Sequence, residues 1–102
     1  MSDFTYFSCR APESVVVSDI PVLLATRTSS ELYTVLYISN NSDNPIYLGF
    51  TGPRAEVGNA EPGHGITVFP KTVMAFDDPV PNGCRIWAVC DSGKTAIVGV
   101  QQ

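Results

Sequence analysis

Charge is what this chain most lacks. Only 16% of its 102 residues are Asp, Glu, Lys or Arg, against roughly a quarter in ordinary soluble domains, while 44% are apolar. A surface so thinly charged implies that some apolar area meets another chain. The six Lys and Arg residues are scattered and the net charge is −4, so the chain has no concentrated basic footprint for gripping phosphates, and direct nucleic-acid binding is excluded as an expectation. Long hydrophobic runs are also missing, and no stretch approaches the length that spans a bilayer. The opening MSDFTYFSCRAPES has neither a basic n-region nor a continuous apolar h-region. The expectation is a protein made in the cytosol that stays there or leaves inside an assembly, with no membrane partner.

Groups that carry chemistry are equally sparse. The single histidine, His64, lies in Pro62-Gly63-His64-Gly65, where flanking glycines offer little of the second-residue support a general base needs. Three cysteines, an odd number, fit a reducing compartment. Cys84 and Cys90 fall on one strand-like run, roughly 20 Å apart at strand rise, and so are too distant to bridge. All three are expected to be free thiols. No CxxC or HxxxH spacing preorganises zinc, and Asp77-Asp78 before a proline reads as a solvated turn rather than a calcium site. Ser92-Gly93-Lys94-Thr95 resembles the end of a phosphate-binding loop. That motif needs a glycine at position 88, which is Ala, and a helix after the lysine, where β-branched residues stand instead. Asn40-Asn41-Ser42 matches a glycosylation acceptor, read here as chance in a chain without a secretory signal. These absences lead to the expectation of a non-enzyme with no cofactor and no metal.

Short β-rich runs separated by turn formers make up the rest. Glu13–Ser18, Val22–Ala25, Leu32–Ser39, Ile46–Phe50, Ile66–Phe69, Thr72–Phe76, Arg85–Val89 and Thr95–Val100 read as strands, and no 3.6-residue period persists long enough for a helix. The fold class expected is all-β, an antiparallel β-sandwich of jelly-roll type with seven or eight short strands. Residues 1–12 form an arm and 13–102 the domain. Two segments, VLYISNNSDNPIYLGF and CRIWAVCDSGKTAIVGV, each read as a hairpin, the second turning at Asp91–Lys94 with Gly93 free to take positive φ. Thr26–Ser30 reads as a turn or exposed edge. Alternation places Val16, Leu36, Ile46, Leu48, Val68, Ile86, Ala88, Val98 and Val100 in the core, with Trp87 on the opposite face from Ile86 and Ala88 yet still buried.

Aromatic residues fall where a lone sandwich has little use for them. Phe4, Tyr6 and Phe7 stand in the arm, and Tyr33 and Tyr37 share one face of a strand whose other face is aliphatic. The stretch Thr51–Gly65 has no periodicity and is long for a compact domain, which marks it as functional or ordered by a partner. Phe4, Tyr6, Phe7, Tyr33, Tyr37, Arg54, Val57 and His64 are therefore the candidate interface residues. Tyr33, Tyr37, Tyr47 and Trp87 also allow a second reading, an aromatic platform for sugar rings.

The succession Asn44-Pro45-Ile46-Tyr47-Leu48-Gly49, Pro62-Gly63-His64-Gly65-Ile66, Ile86-Trp87-Ala88-Val89 and Gly93-Lys94-Thr95-Ala96-Ile97-Val98-Gly99-Val100 resembles small β-sandwich virion proteins of tailed bacteriophages. Capsid decoration (cement) proteins and neck or tail accessory proteins belong to that group. The resemblance covers roughly residues 31–101 as strands and turns, leaves the arm outside, and transfers no functional residues. It implies a virion structural role: a capsid cement protein, typically a homotrimer, held to the major capsid protein. The alternatives are a neck or tail adaptor and, from another class, a carbohydrate-binding module.

Overall fold

The computed structural model describes residues 12–27, 35–76 and 83–102. Eight strands lie in them: β1 (Glu13–Val17), β2 (Val22–Arg27), β3 (Leu36–Asn40), β4 (Ile46–Thr51), β5 (Ile66–Val68), β6 (Thr72–Phe76), β7 (Cys84–Cys90) and β8 (Ala96–Gln101). They form two four-stranded sheets ordered β1-β8-β3-β6 and β2-β7-β4-β5, and every pairing is antiparallel. The pairing is nested, with β1 on β8, β2 on β7, β3 on β6 and β4 on β5. A chain doubled back between β4 and β5 and rolled into two layers is a jelly roll, so the expected all-β sandwich is what forms.

The two expected hairpins are not hairpins. β7 and β8 lie in different sheets, as do β3 and β4, and each polar connection crosses the edge of the sandwich. Asp91–Thr95 does make a tight turn, with Lys94 N–H donating to Asp91 O at 3.0 Å and Gly93 at φ 75°. The Gly93 amide donates onward to Asp19 Oδ2 at 3.0 Å, fastening this turn to the β1–β2 corner instead of closing a ladder. Among the described residues only β4 and β5 are successive strands that pair, and the long 52–65 segment joins them.

The core follows strand alternation. Leu36 and Ile38 of β3, Ala96, Val98 and Val100 of β8, and Val17 of β1 meet Ile46 and Leu48 of β4, Val68 of β5, and Ile86, Ala88 and Cys90 of β7. Burying each large aliphatic side chain contributes about 1.5–3 kcal/mol. Val16 is the exception among the expected core residues: it is 68% exposed. Alternation in β1 is set by Val17, which is fully buried, so its neighbour faces outward. A bulge in β2 places Leu23 against Trp87 and Ala25 against Ile86. The inserted Leu24 is buried beside Ala25, a departure from period two that bulges permit. Thr26 and Arg27, expected in a turn or exposed edge, belong to β2, and Arg27 is buried.

Asn40 closes β3 as a buried polar residue. Its Nδ2 donates to Asn44 O at 2.8 Å and Val68 O at 3.0 Å, while Oδ1 accepts from Ser42 N at 3.1 Å and Ser42 Oγ at 2.8 Å. One side chain thus ties the β3–β4 crossover to β5. Its full set of partners also leaves the acceptor motif at Asn40 inaccessible to a glycan.

Candidate functional site

The outer faces of the two sheets differ. On the β2-β7-β4-β5 side, the outward residues Trp87 and Val89 form a second buried cluster with Ala60, packed by Leu23 and Tyr47. The cover is the chain's own 52–65 segment. Gly58 sits so close to the Trp87 ring that a Cβ would collide with it. Arg85 Nη1 donates to Ala55 O and Asn59 Nδ2 to Phe50 O, both at 2.8 Å. Trp87 Nε1 donates to Thr51 Oγ1 at 2.8 Å. This segment, expected to be functional or ordered by a partner, packs on its own domain, and Gly58 is what lets its backbone lie flat on the indole.

Nothing among the described residues covers the β1-β8-β3-β6 face in the same way. Register places Val16 beside Ile97 on it. The next row is Ser14, Gly99, Ser39 and Val73, and below it stand Gln101, Tyr37 and Ala75. None of these residues carries a charge at neutral pH. Val16, Val73, Ile97 and Tyr37 are 68%, 61%, 55% and 48% exposed. Lys71 and Asp43 stand at the upper rim, 3.9 Å apart. Four strands of about five residues present roughly 20 Å by 17 Å, an uncharged face that mixes exposed apolar side chains with Ser14, Ser39 and Gln101 and is the candidate interaction surface.

The candidate interface residues do not converge. Tyr37 lies on this uncharged face, whereas Arg54 and Val57 are exposed in the segment covering the other sheet. His64 is exposed in the Glu61–His64 turn, where its amide donates to Glu61 O at 3.1 Å and Gly63 takes φ 77°. Phe4, Tyr6, Phe7 and Tyr33 lie outside the described residues. The residues that make the surface, Val16, Val73, Ile97 and Gly99, were not candidates, although the alternation that buries Val98 and Val100 already put Ile97 and Gly99 outside.

The chemistry available is slight. Among the described residues no group of three or more His, Cys, Asp or Glu side chains is placed to hold a metal ion. Cys84 and Cys90 are free thiols, and Cys9 lies outside the described residues. Burial pushes both described thiols above their ordinary range; the Arg27 charge partly opposes this at Cys84, whereas Asp91 and Asp19 add to it at Cys90. Such thiols are poorer nucleophiles at neutral pH. Tyr47 donates to Asp91 Oδ2 at 3.2 Å, and its phenol is likewise raised, by desolvation and by that carboxylate. The phosphate-loop likeness ends at Gly93, whose amide is committed to Asp19 and whose turn leads into a strand.

No protein-family model matches the chain, and no curated protein matches it.

Proposed function

We propose that this chain is a non-enzymatic assembly subunit of a tailed-phage virion, a capsid cement protein that binds the major capsid protein and its own copies, as a homotrimer, through apolar surface. The observation that carries this reading is the uncharged outer face of β1-β8-β3-β6, left uncovered by the described residues while the opposite sheet is roofed by the chain itself. Jelly rolls recur in capsid and lectin domains, and fold alone does not choose between those uses. Surface chemistry favours the structural use. Of the aromatics a sugar platform would employ, Trp87 is buried beneath the 52–65 segment, Tyr47 is tied to Asp91, and Tyr37 alone stands half-exposed among the described residues. Repetition around a shell would multiply a modest contact on each subunit into firm attachment.

Immunogold labelling of purified virions with antibody to this chain tests the reading. Label spread over the whole shell is the expected result. Label confined to the neck or tail would move the protein to the adaptor role, with the same face used under different symmetry, and virions without label would remove the virion role altogether. A glycan array that returns a specific sugar would replace it with the lectin reading.

A further inference from the structure

The uncharged face is too small to hold two copies stacked on each other. Its roughly 20 Å by 17 Å extent is well short of the ~800 Å² per partner of a stable protein interface. It suits an extended segment better, since an extended peptide of eleven residues reaches up to roughly 36 Å. The lower part of the face holds a depression of about 150 Å³ bounded by Pro12, Tyr37, Ser39, Gly99, Val100 and Gln101. A volume of ~150 Å³ is enough for one benzene ring. Gly99 keeps it open: a Cβ there would lie 3.3 Å from Asn41 Nδ2 and 3.6 Å from the Ser39 Cβ.

Pro12 is where the described chain begins, and the eleven residues before it contain Phe4, Tyr6 and Phe7 with one acidic and one basic side chain, Asp3 and Arg10. An aromatic, charge-balanced segment therefore joins the domain at the rim of an uncharged, ring-sized hollow. Pro12 fixes its own φ and biases the residue before it toward extended backbone, the form in which a short segment can lie along the sheet of a neighbouring copy.

We propose that the outer face of β1-β8-β3-β6 is the seat for residues 1–11 of a second copy of this chain, with one aromatic ring of that arm in the depression floored by Gly99. The exchange gives each subunit one arm and one seat, so contacts run from copy to copy and close into a ring when the rotation permits. This rests on the assembly reading above and names the contact that reading leaves open.

Photo-cross-linking of the full chain tests it. The substitution Tyr6→p-benzoylphenylalanine is introduced, light and heavy-isotope copies are mixed and irradiated, and the adducts are mapped by mass spectrometry. The expected adducts join light to heavy chains and fall on the peptides containing Tyr37–Ser39 or Ile97–Gln101. Gly99→Val, which fills the hollow, should lower their yield by about tenfold. Ile97→Asp, on an exposed side chain that a fold defect does not explain, should lower it similarly, and Val57→Asp on the opposite side should not. Adducts confined to single chains, adducts on the 52–65 segment, or yields indifferent to Gly99→Val and Ile97→Asp would overturn the proposal. Adducts at the seat from a chain that never labels a virion would uphold the arm exchange and remove the virion role.

Discussion

Asn40 makes four side-chain hydrogen bonds at the β3–β4 crossover. Asn40→Ala removes both amide donors and strands Val68 O, a buried acceptor whose loss of partner costs about 1–3 kcal/mol, so the urea midpoint should fall at unchanged m-value. Asn40→Asp should cost more at neutral pH than at acid pH, because a carboxylate faces the Asn44 and Val68 carbonyls and only its protonated form can donate to one of them. At the apolar positions the contrast lies within single strands. Leu36→Ala should cost about 2–5 kcal/mol through lost transfer energy and cavity, whereas Val16→Ala, on the exposed side of β1, should stay within about 0.5 kcal/mol. The thiols give a pH dependence. Cys84 and Cys90 hold their protons more tightly folded than unfolded, so their contribution is fully present below the ordinary thiol pKa and is lost as pH climbs through and beyond it. Denaturation followed from neutral to alkaline pH should show that decline, and Cys84→Ala/Cys90→Ala should flatten it.

The strands themselves were legible because alternation over five or six residues specifies both an element and its faces; Ala96–Gln101 reads buried, exposed, buried in strict order. Their partners were not. A polar connection of about five residues such as Asn41–Pro45 or Asp91–Thr95 fits a hairpin or a sheet-to-sheet crossing equally well, and what decides is distant: the Gly93 amide on Asp19, or Asn44 Nδ2 on Thr95 O at 2.8 Å. The uncharged face was hidden for the same reason, since Val16, Ile97, Val73 and Tyr37 become neighbours only when β1, β8, β3 and β6 are set side by side. Local backbone supplies two tests at this scale. Lys71 sits at φ 59° in the β5–β6 turn, a left-handed conformation that costs a non-glycine residue about 1–2 kcal/mol. Lys71→Gly should therefore leave stability unchanged or raise it by about 1 kcal/mol in thermal melts, despite losing the exposed contacts with Asn41 and Asp43. Gly58→Ala should push the covering segment off the indole, seen as a red shift and stronger quenching of Trp87 fluorescence with the β circular dichroism retained.

For the whole molecule, the sandwich satisfies itself on one side and not on the other. Trp87 and Val89 lie outside the central core and are nonetheless buried, because the 52–65 segment covers them. The opposite face keeps Val16, Ile97, Val73 and Tyr37 in view, and the proposed assembly uses that face for association. Sedimentation velocity on the full chain at micromolar concentration, alone and as Ile97→Asp, tests this most directly. The expected result is an oligomer, a trimer in the cement reading, that the single charge on β8 dissociates to monomers while the far-UV spectrum stays β. A monomeric wild-type chain, or an oligomer that ignores Ile97→Asp, would contradict the account.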